Sequence, residues 1–190
     1  MNILRKRPVA AIICVIVIAL STIYSAHRSL GAKVRELTDS FYTGVYSEEQ
    51  DRTLRSISSQ LDKRCEAANG LVALSEKYVG EIGDEKAADI LRNSRLNLMK
   101  STDITEKYLR NKDIDAAFNS LHAELEMLDL PERDTAMLEE YTGIFRGAQT
   151  LINSSGYNEA VRSFERNTLG AFPANILKEV AFVPRPVLFE

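Results

Sequence analysis

From Pro8 to Ala26 the chain reads PVAAIICVIVIALSTIYSA, without one charged residue. As a helix rising about 1.5 Å per residue, this run is roughly 28 Å long, close to the ~30 Å hydrocarbon core of a bilayer. Tyr24 stands where an interfacial aromatic belongs. The pattern predicts a transmembrane helix over 8–26, preceded by a short basic N-terminus, 1–7, that holds Arg5, Lys6 and Arg7. A cleaved signal peptide is the competing reading. Two features disfavour it: the apolar run exceeds the usual length, and bulky Tyr24 sits where a cleavage site after YSA would want a small residue. Cys14 follows Ile12 and Ile13, not the small residues of a lipid-attachment site.

Residues 27–46, HRSLGAKVRELTDSFYTGVY, form a juxtamembrane segment with two glycines and three aromatics. It is compatible with partial helix and equally with a stretch lying on the membrane surface. Beyond it the apolar positions recur three and four apart, the helical period. Leu54, Ile57, Leu61, Cys65, Ala68 and Val72 make the first stripe, with SEEQ at 47–50 as its expected N-cap. The second stripe, Ala87, Ile90, Leu91, Leu98, Ile104 and Tyr108, predicts a helix from about Asp84 to Arg110. The triplet NKD at 111–113 reads as a break. Ile114, Ala117, Phe118, Leu121, Leu125 and Leu128 follow as a third helix, ended by LDLPERD. Leu138, Tyr141, Phe145, Ala148 and Ile152 open a fourth, expected to run through NSSG at 153–156 and end before Pro173. A glycine inside a helix costs only about 1 kcal/mol, which permits that continuity.

Stripes on four helices joined by short connections must be buried against one another. The expected fold class is all-α: an N-terminal transmembrane helix, an up-and-down four-helix bundle over 47–172, and an extended C-terminal tail over 173–190 that packs on the bundle. In that tail Phe172-Pro173 ends the long helix. A short turn restarts through Ile176, Leu177 and Val180, and Pro184 and Pro186 hold the last residues extended. The apolar Phe182, Val187, Leu188 and Phe189 are expected to fold back over an apolar end of the bundle, or else to dock into a partner or membrane.

Composition adds the location. Apolar residues make up 45% and charged residues 27% of the 190, which is ordinary for a globular chain. The net charge of −3 hides an asymmetry, since the first 26 residues carry only bases and the remainder carries 21 bases against 27 acids. An acidic body without a basic patch gives no reason to expect nucleic acid. Arg5, Lys6 and Arg7 favour an N-terminus in the cytoplasm, opposed by Arg28, Lys33 and Arg35 beyond the span. The expectation is a single-pass cell-membrane protein with the bulk of its chain extracytoplasmic.

The chemistry search finds no catalytic, cofactor-binding or metal residue to nominate. Carboxylate-bridged metal sites in bundles need Glu-x-x-His pairs, and His122 has Asn119 and Leu125 at those spacings. His27 lies beside the membrane. His122, one position off the apolar stripe, reads as a boundary residue, and Cys65 as a small core residue. There is no nucleophile elbow and no phosphate-cradling glycine loop. Glu48–Glu49 and Glu139–Glu140 read as solvated surface. NSS at 153–155 matches a glycosylation acceptor, a triplet common by chance. Tyr157, Phe164 and Phe172 read as core before they read as a ligand groove.

One stretch carries more. In YNEAVRSFERNTLGAFPANILKEVAFVPRPVLFE the residues Tyr157, Asn158 and Val161, then Phe172, Pro173 and Asn175, then Phe182, Pro184, Pro186, Phe189 and Glu190 fall in order and spacing. This end resembles that of the LemA family of bacterial membrane proteins. SQLDKRCEAANGLV, 59–72, is similar to the family's first bundle helix, although Ala68-Asn69-Gly70 departs from its usual Ile-Pro-Asn. Residues 80–150 match only in helical pattern, and 34–50 look like an insertion. The resemblance implies an anchored helical bundle of the bacterial cell envelope and brings no known activity. The expected function is a membrane-anchored interaction or scaffolding module that is not an enzyme, with a protein partner and no cofactor. The alternatives are a lipid or small-ligand binder and, behind it, an envelope hydrolase.

Overall fold

In the computed structural model, which describes residues 7–84 and 86–190, the chain is all-α apart from one small hairpin. Arg5 and Lys6 of the basic N-terminus lie outside the described residues. The helices are α1 (Arg7–Thr43), α2 (Ile57–Ser75), α3 (Ala87–Lys100), α4 (Ile104–Glu126), α5 (Glu132–Asn153), α6 (Tyr157–Phe164) and α7 (Ala174–Val180). A 3₁₀ turn, Glu76–Tyr78, follows α2, and a π-helical turn, Glu165–Leu169, extends α6. The strands β1 (Tyr46–Ser47) and β2 (Arg52–Thr53) pair antiparallel. Two compact units divide the chain: residues up to Asp39 with Glu159–Pro186, and Ser40–Asn158 with Val187–Glu190.

The segment after Ala26 takes the helical one of its two expected forms, since α1 continues to Thr43. Several local expectations need correction. Ser47 caps nothing; it belongs to the hairpin, and the cap of α2 is Ser56, whose Oγ accepts from Ser59 N at 3.2 Å. The hairpin displaces the helix start because the chain turns at Gly44. Its φ of +94° and a Leu54 oxygen 2.1 Å from where a Cβ would stand leave room for no other residue. The second break falls at 101–103, not 111–113. Asp103 accepts from Glu106 N at 3.0 Å and so caps α4, while Asn111-Lys112-Asp113 lies inside that helix. The fourth helix is not continuous. It stops at Asn153, and Gly156 at φ +72° turns the chain before α6 restarts.

Within the larger unit, α2 packs against α5, α3 and α4, and α3 packs against α4. Leu71, Leu91, Ile114, Phe118, Leu121 and Leu125 are wholly buried between them. Asp134 in the first turn of α5 accepts from Lys77 Nζ at 2.8 Å and Tyr78 Oη at 2.6 Å, which fixes that end of α5 to the turn after α2. Those two hydrogen bonds hold its carboxyl below the usual carboxylate range.

The last residues of the chain complete this core. Phe189 is 5% exposed, with its ring 5.6 Å from Phe41 and 5.4 Å from Tyr108. Phe41 in turn meets Tyr157 edge-on at 5.6 Å. The backbone is held as firmly as the ring. Asn158 Nδ2 donates to Phe189 O at 3.0 Å, Phe189 N donates to Asn158 Oδ1 at 2.9 Å, and Tyr157 Oη donates to Val187 O at 2.7 Å. Burial, then the nearby Tyr42, pushes the Tyr157 phenol up to about 12, so it stays a donor at neutral pH. Phe182 takes no part and is 86% exposed.

Truncating the two phenylalanines separately therefore has unequal results. In detergent-solubilised full-length protein, Phe189→Ala lowers unfolding stability by about 3–5 kcal/mol, while Phe182→Ala stays within about 0.5 kcal/mol. Tyr157 favours its neutral form in the fold. Its contribution is complete below pH 10 and is lost as pH rises to about 12, so Tyr157→Phe removes part of the alkaline loss of stability seen by circular dichroism.

Candidate functional site

Polar chemistry concentrates at one place in the core. Arg64, on α2, is 0% exposed. Its Nη1 donates to Asn111 Oδ1 on α4 and Gln149 Oε1 on α5, and its Nη2 to Asp115 Oδ1 on α4. Asn111 Nδ2 also donates to Gln149 Oε1 at 3.2 Å, so two of the three partners are tied to each other. Arg64 Nε and Gln60 Oε1 have no protein partner. Desolvation draws the guanidinium pKa below its ordinary value, and the Asp115 carboxylate opposes that shift.

The guanidinium also lies over Phe145, 3.9 Å from the ring centroid. Phe145 stacks on Phe118 at 3.8 Å with the planes 6° apart, and Phe118 faces His122 at 6.3 Å. Cation and rings thus form a stack from the interior to the rim of a groove. That groove, of about 450 Å³, lies between α4 and α5. Leu125, Leu128, Leu130 and Leu138 give it an apolar lining, and His122, Glu126, Glu139 and Arg146 are its charged and polar members. His122 Nδ1 is 3.4 Å from Glu126 Oε2, so an ion pair forms there when the ring is protonated.

The residues weighed in the sequence fall apart in space or are spoken for. Cys65 is buried, and desolvation followed by Asp62 pushes its thiol up to about 11, which keeps it from acting as a thiolate near neutrality. Cys14 lies exposed on α1. Among the described residues no group of His, Cys, Asp and Glu could hold a metal ion. Tyr157 belongs to the core, Phe164 is half-buried and Phe172 is exposed, so the core reading holds fully for Tyr157 alone. Asn153, the acceptor of the NSS triplet, is exposed and takes a hydrogen bond from Gln149 Nε2 at 2.9 Å. The Arg64 centre was missed in the sequence because its members look like surface residues. The available signal was spacing: Asn111 falls seven residues after Ile104 and seven before Phe118, in line with the α4 stripe. No family model, curated protein or solved structure matches the chain.

Removing one partner of a buried charge strands the other. Arg64→Ala lowers stability by about 3–5 kcal/mol. For Asp115→Ala the loss is about 1–2 kcal/mol, because the Asp115 side chain is 51% exposed and solvent screens it. Asp89→Ala, which opens the surface pair with Arg92, changes stability by less than about 0.5 kcal/mol. Denaturant unfolding of the three variants checks the order.

Proposed function

We propose that this is a single-pass membrane protein of the LemA type, in which α2–α5 form an up-and-down four-helix bundle that serves as an interaction module and not as an enzyme. The observation that carries the reading is α1. One helix, Val9–Thr43, is long and apolar enough to cross a membrane, and none of its apolar window is buried by the protein. Its continuation past Ala26 as unbroken helix supports an anchor over a cleaved leader. Tyr157 and Asn158 at the start of the LemA-like stretch hold Val187 and Phe189 at its end. A filled core and a groove between α4 and α5 support a binding surface on the bundle. Apolar lining with a rim of His122, Glu126, Glu139 and Arg146 suits a protein partner that presents an apolar side chain flanked by charge. Arg5, Lys6 and Arg7, which precede the uncharged run in the sequence, support an extracytoplasmic bundle.

In cells, the protein stays with the membrane through salt and alkaline washing, and a protease that cannot cross the membrane digests the 27–190 region from outside. Release by alkali refutes the anchor, and protection in wall-stripped cells reverses the orientation. A photo-crosslinking residue at Glu139 in the groove gives a defined protein adduct in native membranes, and one at the neighbouring exposed Glu140 does not. Equal labelling from both positions, or none from Glu139, removes the groove from the proposal.

A further inference from the structure

The tail between the two folded ends of the LemA-like stretch leaves its largest apolar groups uncovered. Phe172 is 81% exposed, Ile176 58% and Val180 49%. Ile176 and Val180 stand four apart on α7, the spacing that lines up one helical face, and Phe172 lies in the turn just before that helix. The position of α7 along α1 decides what that face meets. Pro173, Ala174 and Leu177 line a cleft of about 590 Å³ together with Ser21, Thr22, Ser25, Ala26, Ser29 and Leu30 of α1. At the other end of α7, His27 Nδ1 lies 2.7 Å from Ala181 O. His27 and Arg28 are the first polar residues after the uncharged run. The cleft therefore begins about 9 Å, six helical residues, inside the apolar end of the anchor.

We propose that α7 and the preceding Phe172 are an interfacial membrane element, with Phe172, Ile176 and Val180 inserted into the lipid leaflet beside the span. The inference rests on the anchor reading of α1. An amphipathic segment lying in the interface buries its apolar face about 5–10 Å, the depth that contact with Ser21–Leu30 imposes. The two deepest hydroxyls of the cleft are satisfied within their own helix, since Ser21 Oγ and Thr22 Oγ1 both donate to Ile18 O at 2.9 Å. The charged groups of α7, Lys178 and Glu179, lie in its last turn, where Glu179 meets Arg185 at 3.4 Å. The lipid-facing window of α1 is also wholly unburied, so lipid that covers the anchor continues onto the neighbouring face of α7.

The chain contains no tryptophan, so a single introduced one reports alone. Full-length Tyr24→Trp, Phe172→Trp and Ala32→Trp, each reconstituted in phosphatidylcholine–phosphatidylglycerol vesicles, are compared by quenching with lipids brominated near the top of the acyl chains. Bromolipid quenches the Tyr24 and Phe172 variants several-fold more than the Ala32 variant, whose tryptophan is instead quenched by aqueous iodide. If Tyr24→Trp is quenched and Phe172→Trp responds to iodide, the anchor stands and the interfacial element is wrong. A Phe172→Trp emission that is blue-shifted but insensitive to bromolipid overturns it too, since protein, including a second copy, then covers the face. Failure of Tyr24→Trp to be quenched takes down the anchor and this inference together.

Discussion

The buried guanidinium of Arg64 constrains the helical core more than any apolar contact does. A Leu can slide along its neighbours at modest cost, because dispersion and hydrophobic burial have little direction. A buried charge cannot. It must find hydrogen-bond acceptors at fixed points, and here those points are Asn111 and Asp115 on α4 and Gln149 on α5. One side chain on α2 therefore sets the register of two other helices at once. A shift of either by a single turn, about 5.4 Å, would leave the cation without its partners. Replacement by apolar residues could yield an equally stable core. What the charge adds is discrimination among arrangements that the apolar stripes alone would tolerate. The stack of Arg64, Phe145, Phe118 and His122 then carries that fixed geometry to the groove between α4 and α5.

A second constraint comes from segments far apart in sequence. Phe41, Tyr157 and Phe189 meet only if three stretches of chain are brought together, and closing such loops costs entropy that rises slowly with their length. The terminal residues have the most freedom to lose. Two hydrogen bonds from one Asn158 side chain to the backbone of Phe189 and one from Tyr157 to Val187 offset that loss directly. Pro184 and Pro186 reduce it from the other side, since a chain already restricted in φ gives up less on ordering.

The uncharged run, the all-α class and the stripes of α2, α4 and α5 were legible in the sequence because each rests on periodicity. Misreadings arose where a polar residue did work that is normally apolar. Asn111, next to Lys112 and Asp113, has the composition of a loop, yet it lies in the α4 stripe and faces Arg64. The true break at Ser101–Asp103 contains no glycine or proline, and only the Asp103 cap, with Glu106 three residues on, marks it. Gly156 was read as a tolerable cost inside a helix. Its positive φ shows that the position requires glycine, and the choice between the two meanings depends on packing that a local window does not contain. The Arg64 centre and the groove were not legible, since both depend on which faces of α2, α4 and α5 meet.

The tail divides its phenylalanines between two environments, and the backbone shows where the division falls. Phe189 is packed among aromatic rings, while Phe172 and Phe182 are the most exposed of the phenylalanines. Phe182 has φ +50°, a left-handed conformation that a bulky side chain adopts at a cost of order 1–3 kcal/mol. Such a conformation persists only where the residues on both sides are held. On one side Val183 N donates to Lys178 O at 3.0 Å and closes the end of α7. On the other side Pro184 begins the extended run to the clasp. Phe182 is thus held between the end of α7 and the proline-restricted residues before Val187. A bulky side chain at positive φ is costlier there than glycine would be, and with Phe182 86% exposed, burial within the protein offsets little of that cost.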